Sequence, residues 1–157
     1  MKVLRGLRVV TDVDFLHRKS CLIDKEDKEI REELKSSLIK MYEAYDGKMQ
    51  GLAAIQCGLA YCAILLRFKK GDEPVVVYNP KVILKLGFEM SNEGCMSEGD
   101  ARFWVRRPTL CLVSYYDENF KKHYNFYGFK KGRIFCHEVD HLHGILLQDK
   151  GKPVKEN

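Results

Sequence analysis

No apolar run in this 157-residue chain is long enough to cross a bilayer. The longest, Cys62-Ala63-Ile64-Leu65-Leu66, falls far short of the ~20 residues a spanning helix needs. Met1 to Val10 lacks the form of a signal or transit peptide, because charges interleave with short apolar pairs, so the expected location is the cytoplasm. The six cysteines, at positions 21, 57, 62, 95, 111 and 136, lack the paired spacing of a disulfide framework. Lying mostly within apolar runs, they read as reduced thiols in a reducing compartment. Charge of one sign is not concentrated either: the net charge of +5 is modest and lysines alternate with acids. The nearest approach to a basic face, Phe120-Lys121-Lys122-His123-Tyr124 with Lys130-Lys131, reads as the solvated edge of a hairpin, so no specific nucleic-acid partner is expected. There are no internal repeats, low-complexity segments or linkers. Only Gly151 to Asn157 reads as a flexible tail, which leaves residues 1–150 as one domain able to bury a core. What remains, 45% hydrophobic and 31% charged residues, describes a globular protein.

Hydrophobic periodicity gives an α+β order. Val3 to Val10 reads as a short strand, followed by turns at Thr11-Asp12-Val13-Asp14. From Lys25 to Asp46, Ile30, Leu34, Leu38, Met41 and Tyr45 form one apolar stripe of an amphipathic helix. Acids crowd its start and Gly47 suits its end. Tyr61 to Phe68 and Val75 to Tyr78 read as a hairpin, with Asn79-Pro80 ending its second strand and Val82-Ile83-Leu84 a further strand. Trp104 to Pro108 and Thr109 to Tyr116 read as another strand, then a turn at Asp117-Glu118-Asn119 and a strand from His123 to Phe129. A helix from about Lys130 to Leu142, closed by Gly144, completes a single domain with an antiparallel-rich sheet.

That last helix carries the chemistry. In His137-Glu138-Val139-Asp140-His141, the two histidines four residues apart project from one helical face and can share a metal ion. Glu138 is offset from them and fits a general base acting on water. Such a site needs a third protein ligand. Downstream, Leu147 stands where HExxHxxGxxH would place another histidine, and only Asp149 and Glu156 are acidic, so the ligand is expected upstream. Cys95, in Glu93-Gly94-Cys95-Met96-Ser97, is the best candidate, because a thiolate binds zinc or iron tightly and the adjacent glycine permits close approach. His17 reads as a surface or cap histidine and His143 as structural or exposed. Asp140 is expected to anchor the helix or a histidine's second nitrogen.

Gly51-Leu52-Ala53-Ala54-Ile55-Gln56, the Glu-Gly-Cys-Met-Ser segment and His-Glu-Val-Asp-His occur in an order that resembles the peptide deformylase family, and the likeness spans about Leu4 to Asp149. The resemblance implies a metal-dependent hydrolase that removes the formyl group from the N-terminal methionine of new proteins and releases formate. It implies one divalent ion on Cys95, His137 and His141, with iron(II) native and zinc, nickel or cobalt able to substitute. It gives the catalytic roles to Glu138 as base and to the Gln56 side chain and Met96 amide as oxyanion donors. Substrate contacts fall to Gln50, Gly51, Gly94, Arg102, Arg133 and Ile134, and Glu93 and Arg107 brace the cysteine loop. Implied partners are N-formylmethionyl peptides or nascent chains, with a transient ribosome contact and no membrane.

The chain departs from the family pattern at Met49, Gln50 and Ile55, at Glu98-Gly99 after the cysteine motif, and at Arg133 and Cys136. None of these removes a ligand or the base; they alter the pocket walls. The alternatives are a related metal-dependent amidohydrolase or peptidase with another substrate pocket, and a degenerate, non-catalytic relative. A retained Glu138 argues against the last, since a structural metal site needs no base.

Overall fold

The computed structural model describes residues 7–155. Its elements in chain order are α1 (Val13–Leu16), α2 (Lys28–Ala44), β1 (Gly51–Ala53), β2 (Ala63–Leu66), β3 (Val75–Leu86), β4 (Glu89–Gly94), β5 (Arg102–Arg107), β6 (Leu110–Tyr116), β7 (Lys122–Gly128), α3 (Phe129–Leu142), α4 (Leu147–Lys150) and β8 (Lys152–Pro153). Two antiparallel sheets result. The larger has the order β1-β2-β3-β6-β7 and the smaller β4-β5-β8. This is the expected α+β single domain with the histidine-bearing helix near its C-terminal end.

Alternation along β2 explains how both long helices are held. Ile64 and Leu66 join Val77, Cys111 and Val113 against Phe135, Cys136, Val139 and Leu142 of α3. Ala63 and Leu65 face the other way, with Leu52, Val76 and Tyr78 against Leu34, Leu38 and Met41 of α2. A strand buried on both faces reads as a continuous apolar run, because successive side chains point to opposite sides. Each large aliphatic side chain so buried contributes about 1.5–3 kcal/mol. A third cluster, Cys95, Phe103, Val105 and Leu147, joins the small sheet to α4.

Several sequence expectations are corrected. Part of the Val3 to Val10 strand lies outside the described residues, and Leu7 to Val10 is not a strand: Val9 N–H donates to Tyr45 Oη and Val10 N–H to the Gln56 carbonyl. The expected turn at Thr11 to Asp14 leads into α1, because Asp12 Oδ1 accepts from the amides of Asp14 and Phe15 as an N-cap. Asn79-Pro80 does not end a strand. β3 runs through it and includes Val82 to Leu84, with the missing proline donor absorbed in a register shift between Tyr78 and Lys81. Asn79 takes a φ of 47° and bonds both backbone groups of Ile23 at 2.9 and 2.8 Å. Trp104 to Tyr116 is two strands in two different sheets, parted at Pro108-Thr109. Finally, the tail is not loose at Lys152-Pro153: these residues pair with Trp104 and Phe103, and Val154 N–H donates to the Arg102 carbonyl at 2.9 Å.

Candidate metal centre

α3 and the end of β4 build the site between them. On α3, the rings of His137 and His141 lie one turn apart, 5.2 Å between centroids and tilted by 68°. β4 ends at Gly94, and Cys95 precedes a 3-10 turn over Met96–Glu98. Cys95 Sγ lies 3.4 Å from His141 Nε2, and one ligand atom from each of Cys95, His137 and His141 falls within 4.8 Å of the others. These are the three residues that the sequence nominates, brought together from two elements.

The donor set fits a divalent metal. His137 Nδ1 bonds Glu93 Oε1 at 2.9 Å, which leaves Nε2 as that ring's ligand atom. Two imidazoles and one sulfur suit zinc or iron, and three protein ligands leave a position for water. Of the two roles expected of Asp140, holding the second nitrogen falls to Glu93, while Asp140 anchors the helix, its carboxylate accepting from Arg107 at 2.6 Å and Lys150 at 2.9 Å. Arg107, 2% exposed, also forms a two-pronged pair with Glu93 at 2.8 and 2.9 Å. Burial alone would raise the Glu93 carboxyl, but its bonds to His137 and Arg107 outweigh that and hold it at about 2.

The histidines are pulled apart in basicity. Burial opposes charge on His137, yet the Cys95 sulfur and the Glu138 and Glu93 carboxylates beside it hold it well above the ordinary imidazole value. Burial, His137 and Arg107 all push His141 well below it. Glu138 is 4% exposed, and burial pushes its carboxyl up to about 7 despite His137 and Arg107. Its Oε1 has no hydrogen-bond partner among the described residues, so a buried acceptor stands ready beside the ligand histidines. Gly51 is needed for this: a Cβ there would overlap the Glu138 carboxylate.

Gln56 comes from the 3-10 turn Ala54–Cys57 after β1. Ala53 N–H donates to its Oε1 at 3.0 Å, which orients the amide so that Nε2 donates to Ser97 Oγ at 3.0 Å and lies 3.5 Å from Cys95 Sγ. An open groove of about 920 Å³ leads to the centre. Gln50, Gly51, Gly94, Arg102, Arg133 and Ile134 line it, and so do Gln56, Met96 and Glu138. Arg102 is held by Asn92 at 2.7 and 2.9 Å, and Arg133 by Glu89 at 2.6 Å.

Two supporting residues were missed. Ser97 buttresses Gln56, and its place in the cysteine motif was the available signal. Glu98, noted only as a departure, accepts from the amides of Leu147 at 3.1 Å and Gln148 at 3.0 Å, tying the cysteine turn to the start of α4. No local pattern announces that bond.

The comparisons agree with this geometry. The family model described as Polypeptide deformylase matches residues 7–157. A peptide deformylase of Finegoldia magna is 34% identical over 148 residues, covering 94% of this chain and 89% of that protein. The crystal structure of the Thermotoga maritima peptide deformylase superposes with a TM-score of 0.80 at 28% identity, over 92% of this chain and 96% of that one. That of the Synechococcus elongatus enzyme, solved in complex with actinonin, gives 0.81 at 28% identity over 92% and 79%. With its Cys-His-His site assembled, the chain belongs to the polypeptide deformylase family of metal-dependent hydrolases.

Proposed function

We propose that the chain removes formyl groups from N-formylmethionyl nascent chains, using iron(II) at Cys95, His137 and His141. The observation that carries this reading is the buried, unpartnered Glu138 carboxyl set beside three assembled ligand atoms at the foot of a groove. The metal, when bound, supplies Lewis acidity and brings the pKa of water down to about 7. Glu138 takes the proton of the water that attacks the formyl carbon. The Gln56 amide and Met96 N–H hold the carbonyl oxygen as negative charge develops, each contributing about 2.7–4 kcal/mol. As the C–N bond breaks, Glu138 returns the proton to the departing amine, giving formate and a free amino terminus.

Glu93 and Arg107 serve in this reading as positioning residues for His137 and the cysteine loop. The peptide lies extended along Gln50, Gly51, Gly94 and Arg102, with its first side chain toward Arg133 and Ile134. The donor set suits zinc as well as iron, and nickel or cobalt would substitute. The six free thiols favour the reducing cytoplasm, where nascent chains would be met near the ribosome.

Formate release from formyl-Met-Ala-Ser is the test, with protein loaded anaerobically with iron(II) or loaded with nickel. Turnover is expected, lost in Glu138→Ala while metal is retained, and inhibited by actinonin. A metal-loaded protein inert toward every formyl peptide overturns the proposal. Turnover of another N-acylated peptide instead would favour the related-amidohydrolase reading, for which Arg133 in the groove is the motive.

A further inference from the structure

Lysines and arginines from four separate segments converge on the groove. Lys48 lies before β1, Arg67 and Lys70 in the β2–β3 hairpin, Lys130 in the first turn of α3, and Arg102 on β5; all five line the groove. Among the described residues, none of the five is in a salt bridge. The lining carboxylates are the exposed Asp46, and Glu93 and Glu138, both engaged at the metal centre. The groove lining thus carries more positive than negative charge close to where a substrate must lie.

Two local features show that this charge is placed rather than merely solvated. The first turn of α3 contains no acid and holds Lys130 and Lys131 instead. Cations there oppose the helix dipole, at a cost of about 0.3–1 kcal/mol each, so the N-terminal end would welcome an anion. Lys131 turns aside over the Phe68 ring at 5.6 Å, whereas Lys130 faces the groove. Arg67, for its part, is pinned by backbone carbonyls alone: Nε donates to Met49 at 3.2 Å, Nη1 to Lys69 at 3.3 Å and Nη2 to Lys48 at 3.4 Å. Its charge is held in place on the groove wall without a carboxylate to neutralise it. Lys130, a cation at a helix start that joins no salt bridge among the described residues, breaks a local rule without a structural gain, which marks a functional position.

We propose that Arg67, Lys70 and Lys130 form an anion subsite at the groove end away from the metal, which selects formyl peptides with an acidic side chain at the third or fourth residue. This rests on the deformylase reading and deepens it. The register follows from geometry. Lys130 precedes Glu138 by eight residues of α3, about 12 Å along the axis. An extended peptide rises about 3.3 Å per residue, so three to four residues span that distance. A peptide is favoured over nucleic acid because the cations line a walled groove that ends at the catalytic carboxyl.

The experiment compares kcat/KM for formyl-Met-Ala-Ala-Ala with peptides carrying Asp, Glu or Lys at the third or fourth position, using nickel-loaded enzyme at low salt. An acidic residue should raise kcat/KM about fivefold through KM, within the range of exposed ion pairs, and the gain should shrink as salt is added. In K70Q/K130Q the acidic-to-neutral ratio should fall to about one. Because the ratio is taken within each protein, a loss common to all peptides cancels; Lys122→Gln on β7 should leave the ratio unaltered. Equal rates for acidic and neutral peptides, or a preference unchanged in the double variant, overturn the subsite. If no formyl peptide turns over, the deformylase reading falls, but the subsite is still read by fluorescence anisotropy of labelled acidic and neutral peptides: tighter acidic binding supports it and equal binding refutes it. Poly(U) binding that drops in the double variant, with no discrimination among peptides, would assign the patch to nucleic acid and overturn the proposal.

Discussion

Replacing Glu93 tests how one carboxylate supports both the fold and the metal centre. It bonds Arg107 through both oxygens and His137 Nδ1 through Oε1, with its side chain only 12% exposed. A carboxyl held at about 2, against an ordinary 4.5, corresponds to about 3 kcal/mol of stability at neutral pH. Breaking one side of a buried pair costs about 3–5 kcal/mol, and the lower end applies because Arg107 keeps Asp140 as a partner. Glu93→Gln should therefore lower the urea unfolding free energy by about 3 kcal/mol at pH 7. The folded value lies below the unfolded one, so this stability is complete above pH 4.5 and is lost as the pH falls toward 2. The gap between wild type and Glu93→Gln should narrow in step. Gln can still accept from His137 Nδ1–H, whereas Ala cannot. Metal affinity, measured by chelator competition, should thus fall about 10–100-fold in Glu93→Ala and less in Glu93→Gln. A Glu93→Gln protein within 0.5 kcal/mol of wild type, or a gap independent of pH, would refute the reasoning (taking ~0.5 kcal/mol as the usual effect of an inert surface change).

Gly51→Ala should push the Glu138 carboxylate aside and lower kcat at least about 100-fold while metal content, read by atomic absorption, is unchanged. Full activity in that variant would show that Glu138 has room to spare. Glu138→Gln should stabilise the metal-free protein at pH 8. A carboxyl raised from 4.5 to about 7 favours the folded state below pH 4.5 and loses that advantage as the pH rises through 7, about 3 kcal/mol that an amide does not forfeit. Equal denaturant midpoints for the two proteins at pH 8 would contradict this. Adding metal at 100 times its Kd should raise stability by about 2.7 kcal/mol, seen as a higher Tm, because the ligands assemble only in the folded chain. His141→Ala should remove most of that response, and an undiminished shift would place the ion elsewhere.

The parts of this structure legible in the sequence are those whose signal and function lie within one element. α2 and α3 announce themselves by their apolar stripes, and the ligand histidines by their spacing on a single helical face. β4 does not: Glu89, Ser91, Asn92, Glu93 and Gly94 have the composition of a loop. It is a strand because β5 lies against it in continuous register, with Glu89 opposite Arg107 and Met90 opposite Arg106. β8 is likewise made by its partner, since Lys152-Pro153 is a strand by pairing with Trp104 and Phe103 of β5. The same division decides the assignment of Asp140 and Glu93. Asp140 sits on the helix three residues from His137 and looks like its natural support, yet Arg107 reaches it first. Arg107 is one of 27 basic residues and carries no local mark. Buried at the junction, its guanidinium draws Glu93 from β4 and Asp140 from α3, and so sets which carboxylate is left facing the histidine. The second nitrogen of a metal ligand is thus governed by a strand pairing that no window of sequence contains.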